Sequence, residues 1–319
     1  MKSLSSSRLP LCLFAAAIFQ SEAGATTVLD LLSTWNVAAN NYDMGGETEG
    51  PVFVGNTFTV NTTQQVGFNN AVDANDYALW LNNGIAGTGQ VNVQSGSVVS
   101  RQPVDSGRFQ FNGGAGTSLQ EGDAAWQNAL SEVGLNSGAE ALGIYVDASN
   151  YWASLEANST AVVDANSANF TATPELVQGH QVAIFHVTAE NFVTSIGQFS
   201  GSGFGSAEGI LINVAGTGDY TISGNFIGDF QNNESKVIFN FYEANSVSFN
   251  SPVDGSIFAP NSTINQTGGN VEGNIVASNF VQRNGEVHDF RFDGFAPIPE
   301  PSAALLGSFA GLLLLRRKR

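Results

Sequence analysis

Basic side chains are scarce. The 319-residue chain carries 11 Lys and Arg against 28 Asp and Glu, a formal net charge of −17. Lys2, Arg8, Arg316, Arg317, Lys318 and Arg319 sit at the two extremes, which leaves Arg101, Arg108, Lys236, Arg283 and Arg291 for everything between. A body with that field repels phosphate backbones and anionic lipid, so nucleic-acid binding is excluded. Charge of either sign is also sparse, at 12% of residues against roughly 25% in an average soluble protein. The sole cysteine, Cys12, falls in an N-terminal apolar run. A chain cut after that run has no thiol and no disulfide, and its stability must come from burial and backbone hydrogen bonds.

Catalytic signatures are missing too. The sequence contains no CxxC, HExxH, P-loop, GxGxxG or G-x-S-x-G pattern, which removes the sequence basis for zinc, nucleotide and serine-hydrolase chemistry. His180 and His186 lie six residues apart on a strand-like run, about 20 Å at ~3.3 Å per residue, and cannot share one ion. His288 reads as a packed or capping residue. Asp43, Glu47, Glu49, Asp73 and Asp76 are hard oxygen donors that can hold Ca²⁺, without EF-hand or RTX spacing. A solvated acidic loop is the plainer reading. Five basic side chains are few for an enzyme acting on an anionic sugar, so a carbohydrate-active enzyme stands only as an alternative.

What the chain does have is apolar: 42% hydrophobic residues, 23 Phe and 36 Gly. That composition can offset ordering entropy in a packed domain. Short runs rich in Val, Ile, Phe and Thr, such as Val52-Phe53-Val54, Val182-Ala183-Ile184-Phe185 and Val237-Ile238-Phe239, are separated by Gly, Asn and Asp. These are strands with turn punctuation. A pattern of acid-Gly-x-β-x-Ala-x-Asn recurs at Asp254–Asn261 and Glu272–Asn279, with a looser copy at Glu49–Asn56. A period just under twenty residues is about one coil of a solenoid, with Gly at a tight corner and Asn stacking between coils. The expected fold is therefore mainly β, a right-handed β-solenoid, with a β-sandwich as the alternative. One amphipathic helix, broken or in two pieces, is expected over about 119–156. Its cues are Ser118 with Glu121, Ser137 with Glu140, and the spacing of Trp126, Ala129, Leu130 and Val133.

Both ends read as addresses. Lys2 and Arg8 precede the apolar run Leu9–Phe19, and Ala23-Gly24-Ala25 puts small residues at both cleavage positions. This is a secretory signal peptide, residues 1–25, removed by signal peptidase. Near the other end, Pro299-Glu300-Pro301 precedes the apolar Ala303–Leu315 and the basic Arg316-Arg317-Lys318-Arg319. That helix would span about 20 Å, short of the roughly 30 Å hydrocarbon core, with the basic tetrad held on the cytoplasmic side. The three parts in this order resemble the PEP-CTERM sorting signal. The resemblance implies processing by an exosortase and display or release at the exterior of a Gram-negative bacterium. Membrane contact would then come only through residues 297–319, before processing.

The body, residues 26–296, is expected to be one domain. Its early segment, Asn41-Tyr42-Asp43 leading into Glu47–Asn56, is similar to the start of the choice-of-anchor A surface domain. The later segments Val237–Phe241, Gly255–Asn261, Gly269–Ala277 and Gly285–His288 resemble its end. That resemblance implies adhesive or matrix roles and brings no catalytic residues. The expected function is thus a non-enzymatic surface or extracellular-matrix protein whose partner is exopolysaccharide or a matrix protein or glycan. An ice-binding-like protein is a further alternative, since stretches such as Thr57-Phe58-Thr59-Val60-Asn61-Thr62-Thr63 can form a flat polar face, although regular Thr spacing over consecutive coils is absent.

Overall fold

The computed structural model describes residues 26–69, 71–73, 76–102, 105–112, 118–120, 138–188 and 196–299. Within them the chain is mainly β, with two α-helices, α1 (Val28–Thr34) and α2 (Gly138–Ser154). The strands form a 14-stranded, a 7-stranded and a 4-stranded sheet. Pairing is parallel except at two hairpin-like pairs, Thr160–Val163 with Ser167–Thr171 and Glu175–Val177 with His180–Thr188. Parallel neighbours cannot be joined by hairpins; each needs a chain excursion that returns to the same starting edge. The face-to-face Greek-key sandwich, the alternative expectation, is therefore wrong for this chain. The excursions have preferred lengths, with partners 27 residues apart in one stretch, as for Asn213 and Asn240, and 18 in another, as for Ser256 and Asn274.

The acid-Gly repeats stack in register. Ile257 pairs with Ile275, Ile275 with Val37, and Val37 with Val52. Two of the copies are thus joined to the third through a strand, Val37–Met44, that carries no copy itself. That strand lies between Ile275–Gln282 and Val52–Val60, so the first described strand is central and not terminal. From it the sheet runs outward through Tyr77–Leu81 and Ser97–Ser100 to Ser118–Gln120. After α2 the strands begin at the opposite end, with Glu175–Val177 and His180–Thr188, and work back to Ile275–Gln282.

This order corrects the helix expectation. Ser118 does not cap a helix; Ser118–Gln120 pairs with Val98–Ser100 as a strand, because the sheet edge offers a ladder that a local cap cannot match. The part of the expected helix that is described is Gly138–Ser154; the cues at Glu121, Trp126, Ala129, Leu130, Val133 and Ser137 lie outside the described residues.

Inward side chains from all three sheets share one aliphatic and aromatic core, including Val37, Val52, Ile257, Ile275, Phe239 and Phe199. A second core lies on the outer side of the long sheet under the helices. There α2 buries Ala141, Tyr145, Ala148 and Trp152 at helical spacing, and Trp152 meets Phe258 at 4.7 Å between ring centroids. Burying such a ring is worth roughly 1.5–3 kcal/mol each. Polar pins fix the register of the helix: Asn213 Nδ2 donates to Trp152 O at 2.8 Å, and Asn240 Nδ2 to Ser149 O at 3.0 Å. At one corner Gly269 and Gly285 take φ of +72° and +89°, a left-handed conformation that suits glycine. The buried Gln266 Nε2 closes that corner by donating to Gly269 O at 2.7 Å.

Candidate functional site

The long sheet has two halves with different outer surfaces. A register shift between Ala39 and Asn41, matched by one between Ala259 and Thr263, turns the strands away from the helix-covered half. Beyond the shift, alternation sends Val247, Ile264, Phe280, Tyr42 and Phe58 inward, all at most 1% exposed. The Tyr42 and Phe280 rings stack at 4.8 Å. Tyr42 is held further by its hydroxyl, which donates to Gln282 Oε1 at 2.6 Å and lies 3.0 Å from Thr48 Oγ1. Burial pushes that phenol's pKa well up and keeps it protonated.

The outward positions of the same strands form two rows that no helix among the described residues covers. Register aligns Asp219, Ser246, Thr263, Asn279, Asn41 and Thr57 in the first. Thr221, Ser248, Asn265, Val281, Asp43 and Thr59 make the second. Neighbours along a row stand one strand spacing apart, about 4.8 Å. Side-chain amides tie the first row together. Asn83 Nδ2 donates to Asn56 Oδ1, Asn56 to Asn41 and Asn41 to Asn279, each at 2.8 Å, and Asn279 donates to Thr263 Oγ1 at 3.3 Å. Every amide donates in the same direction. Each keeps a second N–H, while Asn41 Oδ1 spends its second lone pair on the Thr57 amide at 3.3 Å. The result is a flat, stiff hydrogen-bonding surface whose side chains are already ordered, neutral except for Asp219 in the first row and Asp43, paired with Arg283, in the second.

The 7-stranded sheet presents a different row. Asp254, Glu272 and His288 align through successive pairs, and Glu49 follows next to the Thr48–Val287 pair. Burial, then Glu234 and Glu272, push the Asp254 carboxyl up to about 6. His288 sits between acids, with Nδ1 2.8 Å from Glu272 Oε1 and Nε2 3.1 Å from Glu286 Oε2. Burial alone would lower its pKa, but bonds and charge from Glu272, Glu286 and Glu49 overcome it and raise it. The acids around the half-buried His288 thus favour its protonated form.

The expected Ca²⁺ donors do not converge. Asp43 pairs with Arg283 at 2.5 Å on the flat face. Glu47 accepts from Gln65 Nε2, and Glu49 from Asn69 Nδ2 at 2.6 Å and the Asp289 amide at 2.8 Å. Asp73 and Asp76 are exposed in a loop. Among the described residues one group, Glu49, Glu286 and His288, brings possible ligand atoms within 4.8 Å of one another, and each member already has the partners named above. His180 and His186 have separate surroundings: His180 stacks on Phe295 at 3.8 Å and lies 3.3 Å from Glu208, while His186 Nε2 is 2.7 Å from Leu155 O. Of the sorting residues only Pro299 is described; Ala23, Ala25, Glu300, Pro301, Arg316, Arg317, Lys318 and Arg319 lie outside the described residues, as does the expected membrane helix. No helix among the described residues is long and apolar enough to cross a membrane.

A family model described as "Putative Ice-binding-like adhesive domain" matches residues 28–289. The chain belongs to this adhesive-domain family. Among solved structures it is similar to an ice-binding protein from the Antarctic ascomycete Antarctomyces psychrotrophicus, at 13% identity over 81% of this chain and 95% of that one, with a TM-score of 0.34. An ice-binding protein from an Antarctic biological consortium is 14% identical over 88% and 94%, with a TM-score of 0.35. A glycosylated ice-binding protein from an Arctic yeast is 12% identical over 88% and 99%, also at 0.35. Likeness at that level assigns no role to any residue. No curated protein matches the chain.

In this adhesive domain the ladder Asn83–Asn56–Asn41–Asn279–Thr263 has no sequence period, because its members come from segments on both sides of the Val37–Met44 and Ile275–Gln282 junction. The asparagine at the end of each acid-Gly repeat was the available signal, and in Asn56 and Asn279 it pointed to the correct row.

Proposed function

We propose that this chain is an exported, non-enzymatic surface or matrix protein that adheres through the two-row polar face, with exopolysaccharide as its first partner. The observation that carries the reading is the one-directional amide ladder on an uncovered parallel sheet. Individual hydrogen bonds to a surface contribute only about 0.5–1.5 kcal/mol net. A rigid array forms many of them together with little ordering cost, which favours broad, repetitive partners over small substrates. We read the winding as a right-handed β-solenoid, supported by the 27- and 18-residue recurrences. The choice-of-anchor A motifs and the PEP-CTERM order at residues 297–319 support delivery by signal peptidase and exosortase to the exterior of a Gram-negative cell.

The non-enzymatic reading is supported by where the basic residues spend their donors. Arg283 holds Asp43; Arg291 holds Asp289 and the carbonyls of Ser33, Thr34 and Ala71. Arg108 donates to Gly89 O and Ala86 O. A second reading, ice as the ordered surface, is favoured by Thr57, Thr59, Thr221 and Thr263 in the same two rows.

The test compares the exported form with a Thr59→Tyr/Asn265→Tyr variant, which raises two rings from the second row. Retention on native exopolysaccharide should fall at least tenfold in the variant with the melting temperature unchanged. Equal retention of both proteins, or retention of neither, defeats the proposal. Partition of wild type, but not variant, into a growing ice front in the absence of polysaccharide retention would select the second reading.

A further inference from the structure

Beside the flat face, a groove of about 580 Å³ runs between α2 and the bulged corner of the long sheet. Its size falls within the range of small-ligand sites, roughly 300–1,000 Å³. The sheet wall is made of neutral amides and a hydroxyl: Asn40, Asn56, Asn82, Asn83, Asn261 and Ser278. The helix wall supplies the apolar Leu142 and Val146, with Pro260 between the walls and Asp147 as the one charged group among the described lining residues. No lysine or arginine lines it, so an anionic ligand finds no counter-charge inside a body that already repels it. A single carboxylate is too little for a metal ion. Amides facing an aliphatic strip match a molecule with hydroxyls on its edges and C–H groups on its faces.

Two glycines keep this groove open. Gly143 lies in the interior of α2, where glycine is the least favourable residue short of proline. Packing does not require it, for a Cβ built there meets nothing within 4 Å. Any larger side chain would stand on the groove wall. Gly55 lies opposite, where a Cβ would already crowd Leu142 Cδ1 at 3.2 Å and Asn40 Oδ1 at 3.3 Å. Asn82 is fixed on the sheet wall by its Nδ2, which donates to Gly55 O at 3.0 Å.

We propose that this groove binds a neutral saccharide, a short length of an uncharged polysaccharide chain. The inference rests on the adhesive reading for its biological sense; it shares Asn56 and Asn83 with the amide ladder but otherwise uses different residues, and it makes the groove the selective contact beside a broadly sticky face.

Affinity electrophoresis of the exported chain in gels containing dextran, laminarin, hydroxyethylcellulose or alginate tests it. At least one neutral polymer should retard the protein and alginate should not. Gly143→Trp should weaken the retardation at least tenfold with an unchanged melting temperature. Asn261→Ala, at an exposed wall position outside the amide ladder, should weaken it severalfold and serves as the second handle if the tryptophan disturbs the fold. The Thr59→Tyr/Asn265→Tyr variant should keep full retardation while losing retention on the native matrix, which separates failure of the groove from failure of the flat face. No retardation by the three neutral polymers, equal retardation by alginate, or retardation indifferent to both groove substitutions overturns the proposal.

Discussion

Asp254→Asn should stabilise the protein at neutral pH and leave it unchanged in acid. Asp254 pairs across to Glu272 in the acidic row, and burial, Glu234 and Glu272 push its carboxyl from 3.8 up to about 6. A raised folded value means the folded state holds the proton more tightly than the unfolded chain. The wild-type contribution is then fully present below pH 3.8 and is lost as pH climbs to about 6. At ~1.36 kcal/mol per pH unit the shift corresponds to about 3 kcal/mol, and solvent screening of a partly exposed group cuts this to about 1–2 kcal/mol. An asparagine keeps the size of the neutral acid without the charge. Urea unfolding from pH 3.5 to 8 should show equal midpoints at the acid end and a variant advantage that grows to a plateau above pH 7, with m unchanged. A gain that is flat across pH, or a variant weaker than wild type at neutral pH, would refute the electrostatic account of this row.

His288→Gln should act with the opposite weight, removing the cation that relieves the same stripe. Because the folded pKa of His288 is raised, its contribution is present below the unfolded value near 6.5 and fades as pH rises through the folded one. The variant should lose about 1–3 kcal/mol near pH 6 and approach wild type in alkali, as read by unfolding midpoints; a loss that grows with pH would contradict this. Replacing Pro299-Glu300-Pro301 by alanines should leave uncleaved precursor in the inner membrane, visible by fractionation and intact mass. Mature protein of unchanged mass and location would show that the tail is not a sorting signal.

Much of the architecture was legible because β chemistry repeats locally. The acid-Gly pattern placed Ile257, Ile275 and Val52 in a common column, and register confirms that column through Val37. The helix was legible over Gly138–Ser154, while its expected cap at Ser118 was misjudged, since Ser118–Gln120 has a cap-like sequence but meets an open ladder at Val98–Ser100. The proposed adhesive surface was the least legible part. Asn41 and Asn279 are 238 residues apart, and periodicity relates only residues near one another in sequence. Nothing local marks Val37–Met44 as the strand that receives a partner from the far end of the chain. The groove was hidden for a related reason. Gly143 reads as a helix weakness until the opposing amides are in place.

The central position of the first strand ties adhesion to completed folding. Each half of the long sheet can build its own ladders, from Val52–Val60 outward to Ser118–Gln120 and from His180–Thr188 inward to Ile275–Gln282. Neither half alone has the polar face: Thr263 and Asn279 belong to one, Asn41, Asn56 and Asn83 to the other, and the 2.8 Å amide bond from Asn41 to Asn279 crosses the seam. The seam is bound beneath that bond by the Tyr42 and Phe280 rings and beside it by Arg283 with Asp43. His288 bridges acids of both halves at the next sheet. An unjoined intermediate exposes two sheet edges but presents only fragments of the row. The row is complete only when the pairing of Val37–Met44 with Ile275–Gln282 is made, so under the proposed function loosening of the seam should weaken adhesion before either half unfolds.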